Sequence, residues 1–429
     1  MNSYVFAMNN FNKEHQDHLY YNLDIVNNET IDSNKDNPVV SYTDTLSKAL
    51  LDDVSSWYFS IIRFQLNGVG REIPIFIPEI ERDQTDANKT IYKITLFYHF
   101  IQNGIHHKKS QTETVYFETQ NKNTSPPTTV GKQMDLSTNY YYVSTYSHIA
   151  HLINKTLKRC HDNLIAKCKA EVPGLLPDEI THLDNLKAPI LYYEESSQLF
   201  KLYLDKDIHG KKNNRFNNTI FDVKGRLFFN SNLFLLFSNF HHNYIGGDLR
   251  NTIEYNRGTI TDIVENMSIP GCAYDILPIE DDLDIHSLTK GNKTYSILSQ
   301  DYESVSSLWC PVSAIVFTTN IIPIESEITG TPLEFVDKQQ VSDSRQDTSQ
   351  KVISDMTVGI SSADDYSGTI TYVPSGEYRY INFTSANIPL KSIQISAFWK
   401  HRLTGDLVPI RMPNKSSIHL KLMFQRKQK

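Results

Sequence analysis

Few residues in this chain have the types and spacing that chemistry needs. His15 and His18 stand in a polar stretch, where a His-x-x-His pair serves zinc only on a helix with further ligands nearby. His106-His107 and His241-His242 are adjacent pairs whose side chains point to opposite faces of a strand, so neither pair can share an ion. Cys160-His161 with Cys168 has suitable atom types, but successive helical residues turn about 100° apart. Glu280, Asp281, Asp282 and Asp284 could attract a hard cation, yet the run lacks the Gly and terminal Glu of a calcium loop. Gly68-Val69-Gly70-Arg71 is followed by neither Lys-Ser/Thr nor a third Gly, and no Gly-x-Ser-x-Gly occurs. No nucleophile, base and orienting group can be nominated together. The expectation is a non-enzymatic chain with no catalytic, cofactor-binding or metal-binding residues and no cofactor.

The four cysteines, Cys160, Cys168, Cys272 and Cys310, make no disulfide framework. On one helix Cys160 and Cys168 would lie about 12 Å apart, too far to bridge, so buried reduced thiols are expected. The first residues lack a basic and apolar leader, and no run approaches a membrane span, so neither secretion nor membrane insertion is expected.

A net charge of −7 argues against wholesale coating of nucleic acid, but the charge is unevenly spread. From residue 400 onward Lys400, Arg402, Arg411, Lys415, Lys421, Arg426, Lys427 and Lys429 face a single acid, Asp406. Two readings stand open: weak contact with packaged nucleic acid, or cations blunting an exposed sheet edge.

The elements that would position these residues are mostly strands. Ile393, Ile395, Ala397 and Trp399 alternate with Gln394, Ser396 and Lys400, broken only by Phe398, and Ile418, Leu420, Leu422 and Phe424 alternate with His419, Lys421 and Gln425. Thr369–Val373 and Tyr378–Phe383 flank a Pro-Ser-Gly turn. Trp57 to Leu66 and Thr90 to Tyr98 read as strands, Ile73 to Pro78 as an edge or bulged strand because of its prolines, and Glu113–Gln120 as a fourth. Leu308 to Ile324 is the most apolar β run of the second half, and Asp337 to Gln350, without periodicity, reads as a loop.

Tyr146 to Lys169 is a helix, with Ile149, Leu152, Ile153, Thr156, Leu157, Cys160, Leu164 and Cys168 on one stripe and Ser144, Thr145 or Ser147 as its cap. Ile190–Tyr193 and Leu199–Leu204 form a hairpin, Leu227–Phe229 a strand, and Asn232–Phe240 a second helix stopped by Gly246-Gly247. No element is assigned from Thr259 to Gln300. The expected fold is mainly β, an antiparallel jelly-roll sandwich made by the two terminal strand blocks, with an inserted α+β region. Residues 1–52 form an extended arm in which only Leu19 to Val26 suggests a short strand, 53–160 and 301–429 the sandwich, and 161–300 the insertion.

Three strings carry a resemblance. Ser56-Trp57-Tyr58-Phe59-Ser60-Ile61-Ile62-Arg63-Phe64 with Ile73-Pro74-Ile75-Phe76-Ile77-Pro78 and Thr90 to Leu96, then Trp309-x-Pro311-Val312 through Thr319, then Ala397-Phe398-Trp399-Lys400, are similar to the minor capsid, penton-type proteins of polinton-like viruses and virophages. The likeness covers both β-rich blocks, and the middle third lies outside it. It implies a virion structural protein, a jelly-roll capsomer whose homopentamers close icosahedral vertices among larger major capsid proteins. It also implies an insertion that faces outward, available to a host receptor. Alternatives are the major capsid protein, a trimer for which the chain is short, a host-attachment spike, and, outside this class, a β-sandwich carbohydrate-active enzyme.

Overall fold

The early and late parts of the chain hydrogen-bond to each other. The computed structural model describes residues 17–28, 37–69, 72–81, 86–120, 124–127, 139–209, 223–244, 274–276, 287–290, 293–301, 310–329, 333–336, 339–342, 348–357, 369–372, 379–384 and 387–427. Its elements begin with β1 (His18–Val26), β2 (Ser41–Thr45) and β3 (Trp57–Asn67). A middle stretch follows: β4 (Lys89–Gln102), β5 (Ile105–Tyr116), α1 (Tyr146–Glu171), α2 (Pro177–Asn185), β6 (Ile190–Glu194), β7 (Leu199–Asp205), α3 (Lys206–His209), β8 (Val223–Phe229), α4 (Ser231–Leu236), β9 (His242–Tyr244), β10 (Tyr274–Ile276), β11 (Ser287–Lys290) and β12 (Lys293–Ser299). The chain ends with β13 (Val312–Thr318), β14 (Glu327–Thr329), β15 (Leu333–Val336), β16 (Gln339–Ser342), β17 (Thr348–Gln350), β18 (Val352–Met356), β19 (Thr369–Tyr372), β20 (Ile381–Asn382), β21 (Ser392–His401), β22 (Leu407–Pro409) and β23 (Ser417–Arg426). Contacts divide the chain into two units, one up to Ile75 and from Pro311 onward, the other from Phe76 to Cys310.

The first unit is an antiparallel sandwich. One sheet runs β1-β23-β3-β19 with β20 also on β3, and the other runs β18-β13-β21-β2 with β22 on β21. The period-two pattern of β23 buries Ile418, Leu420, Leu422 and Phe424, and that of β21 buries Ile393, Ile395, Ala397 and Trp399. Phe64 of β3 meets Phe317 of β13 edge-on across the two layers, ring centroids 5.3 Å apart. Phe398, which breaks the alternation, is partly buried on the opposite face of its sheet against Ala314, Val316 and Val352, so this face carries a small apolar cluster of its own.

The second unit holds two more sheets, β5-β4-β8-β10-β9 and β11-β12-β7-β6, with α1 packed on β4, β5 and β6. Thr145 caps α1 by accepting from the His148 N–H, and the buried stripe includes every residue expected of it. The β4–β5 hairpin turns at Asn103 and Gly104, both at positive φ (49° and 78°), which an Asn-Gly pair adopts with little strain.

Several expectations need correction. Residues 1–52 are not merely an arm, because β1 pairs with β23 and β2 with β21 along their full lengths. The division near residue 160 falls instead at 75/76, since β4 pairs with β5 and β8 rather than joining β3, and α1 packs on those strands. The later division falls at 310/311 rather than 300/301. Ile73 to Pro78 forms no strand, only the Phe76–Val143 bridge, as its two prolines remove ladder donors. Residues 337–350 contain β16 and β17, which pair with β15 and β14. Their Gln, Ser and Thr side chains give no apolar period to read. α4 ends at Leu236, short of the expected Phe240, and Gly246-Gly247 lies outside the described residues.

Phe64 is fully buried where the sheets meet. Phe64→Ala should lower unfolding free energy by about 3–5 kcal/mol, read from denaturant melts of the full chain.

Candidate functional site

The candidate chemistry disperses in the structure. Among the described residues no three His, Cys, Asp or Glu side chains group as a metal site would need. His18 stacks on Tyr20, while His15, Cys272, Gly70, Arg71 and the acidic run 280–284 lie outside the described residues. His106 and His107 diverge as expected: His106 Nδ1 lies 3.0 Å from His99 Nε2, and His107 stacks on Phe100. His242 bonds the Phe240 carbonyl through Nδ1 at 2.8 Å.

Cys160 and His161 also part company. The Cys160 thiol donates to the Gln111 carbonyl (3.0 Å), and His161 Nδ1 lies 2.6 Å from the Tyr98 hydroxyl. Burial pushes the Cys168 thiol up to about 12, far from a reactive thiolate. Cys160, Cys168 and Cys310 are all free and buried.

Lys400, Lys421 and Arg426 do not lie on an edge strand. β23 lies between β1 and β3, and β21 between β13 and β2, so both are interior strands. Lys421 lies over the Tyr20 ring at 4.9 Å and Lys427 over Tyr58 at 5.1 Å, while Arg411 donates to the Asn37 carbonyl.

Among the described residues, exposed apolar side chains stand on strand faces. On β6, Ile190 is 45% and Tyr192 51% exposed on one face, with Tyr192 edge-on to Tyr203 of β7. The inner face of the same hairpin is filled by Leu191, Phe200, Leu202 and Leu204, which are buried. β6 is also an edge strand, and that edge is closed. The Asn154 amide from α1 donates to the Leu191 carbonyl (2.8 Å) and accepts from its N–H (2.7 Å), occupying the backbone groups that face away from β7. Pro189, just before the strand, has no N–H to offer.

A chain with this layering, with terminal strands sharing a sandwich and apolar side chains displayed on sheet faces, can be compared with known proteins. The profile of the Sputnik minor capsid protein V18/19 family matches residues 19–426. This chain belongs to that family. It is therefore a minor capsid protein and a virion component, and the expected mainly β, jelly-roll class holds. A chain in the cryo-electron microscopy structure of the Sputnik virophage superposes with a TM-score of 0.65 at 20% identity, covering 96% of this chain and 98% of that one. The crystal structure of the mavirus penton protein superposes with a TM-score of 0.55 at 14% identity, covering 96% of this chain and 100% of that one. No curated protein sequence matches this capsid chain. The resemblance seen in the strand strings thus extends through the middle of the chain, where sequence reading found none. No helix among the described residues is long and apolar enough to cross a membrane.

Two outcomes test this description. His99 is only 3% exposed, and burial, then the charges of His106, Lys108, Lys224 and Arg226, hold its imidazole down at about 4. Burial also lowers His148, His161 and His401. Because folding favours the neutral ring, stability is full above about pH 6.5 and falls as pH drops toward 4. From His99 alone the loss at pH 5 should be about 2 kcal/mol, and it should shrink in His99→Gln when melts at pH 7.5 and 5 are compared. Separately, Asn154→Ala reopens the β6 edge and should produce concentration-dependent self-association visible by light scattering, with stability lowered by about 1–3 kcal/mol.

Proposed function

We propose that this minor capsid protein is a penton-type capsomer, non-enzymatic, that closes icosahedral vertices as a homopentamer beside a major capsid protein. The observation that carries the reading is the whole-length likeness to the mavirus penton protein, which extends over both units of this chain. Family membership supports assembly with other capsid components. The physical means is burial between rigid sandwiches, in which cyclic symmetry makes each subunit present two complementary patches. Exposed apolar side chains of the first unit, among them Val26, Val39, Ile388 and Leu403, are suited to such burial.

Native mass measurement of the purified full chain tests the proposal. The expected species is five times the 49.4 kDa chain. A trimer would favour a major-capsid role, and a monomer at every accessible concentration would overturn both.

A further inference from the structure

The sandwich sheet built on β23 has one face in the core and one outside. On the side away from the core, in register, stand His18, Tyr20, Asn22, Asp24 and Val26 of β1, then Gln425, Met423, Lys421, His419 and Ser417 of β23, then Tyr58, Ser60, Arg63, Gln65 and Asn67 of β3; of these Met423 and Ser60 are buried, Ser60 donating to the Arg379 carbonyl. Arg63 lies directly opposite Lys421 across the ladder and is exposed. Like charges so placed repel. Among the described residues neither side chain makes an ion pair, and the one carboxylate in these three rows, Asp24, is held by His419 Nδ1 at 2.6 Å.

Aromatic rings stand among these cations. Tyr20 remains 45% exposed with Lys421 against it, and Tyr380, 47% exposed, packs on Tyr58, whose ring also carries Lys427. Lys421 and Lys427 are about 20 Å apart along the strand direction, so the strip is longer than one anion. The chain as a whole is acidic, which makes a strip without free acids a local feature rather than a reflection of composition.

We propose that this face binds single-stranded nucleic acid, with backbone phosphates on Arg63 and Lys421 and bases stacked on the exposed tyrosines. The cations supply the sequence-independent attraction to phosphate, and the rings supply stacking that any base can use. An acidic peptide would engage the cations and leave the rings idle, which is why nucleic acid is the favoured occupant. The inference stands apart from the penton reading, since a strip of this kind works at any copy number.

The test uses the full chain and a short fluorescein-labelled oligonucleotide, with anisotropy followed across a salt series. Arg63→Glu with Lys421→Glu should weaken binding at least about tenfold and flatten the dependence of log affinity on log salt by roughly 0.7 per cation removed. Tyr20→Leu with Tyr380→Leu should weaken single-strand binding and leave that slope unchanged. Lys158→Glu on α1 should change neither. Melting curves establish that each variant folds, and Arg63→Gln or Lys421→Gln replaces any that does not. Wild-type affinity in folded Arg63 and Lys421 variants would overturn the proposal. So would polyglutamate binding as tightly as the oligonucleotide and indifferently to the tyrosine changes, which would assign the face to an acidic protein.

Discussion

The constraint on which the sandwich depends is the position of β23, zipped between β1 on one side and β3 on the other. Ile418, Leu420, Leu422 and Phe424 of this strand point into the core, and the ladders on both flanks hold them in phase. Remove it and β1 loses its ladder, β3 loses its main ladder, and Phe59 loses the Phe424 ring stacked on it. The one irregularity, a register shift between Lys421 and Leu422, keeps Arg63 facing outward while Ile61 and Phe64 are buried. A single bulge therefore fixes both the interior packing and the cation that stands outside.

The second unit solves a different problem. Its long helix is amphipathic in the ordinary sense, but its buried stripe includes a thiol and an imidazole, each satisfied by a specific group on the sheet beneath: Gln111 for Cys160 and Tyr98 for His161. Buried polar atoms held by specific partners on the sheet allow little sliding of helix over sheet. The same helix closes a sheet edge through Asn154, so one element both fills a core and prevents unwanted strand addition. Neutral buried histidines then make this packing sensitive to acid in a way that an all-apolar interface would not be.

Much of this was legible in the residues. The strands around Trp57 and Ile393, the α1 stripe with its Thr145 cap and the Ile190–Leu204 hairpin follow from periods of two and 3.6 and appear as read. Which strands pair was harder. The Asn103-Gly104 dipeptide is itself a hairpin signal for β4 turning back on β5, but nothing local says that β8 takes the other side of β4. β1 is legible as a short strand from Leu19 to Val26, but its exposed face of Asn, Asp and Tyr says nothing of its partner, and the arm reading left it unpaired. The Gln- and Ser-rich sequences of β16 and β17 hold no alternating apolar residues, so no period reveals them. The Arg63–Lys421 juxtaposition was invisible for a plainer reason, since register across a bulge between residues so distant is a property of the fold and not of either strand.

Residues paired in the β1–β23 ladder lie very far apart along the chain, Asp24 and His419 by 395 positions, whereas the hairpins from β4 to β8 close over short loops. During translation the inserted unit can settle early, but the sandwich must wait, its early strands unpaired, until the residues of β23 emerge from the ribosome. A prematurely terminated polypeptide lacking that strand would leave β1 and the main ladder of β3 unmade. The topology thus ties completion of the sandwich to synthesis through residue 426.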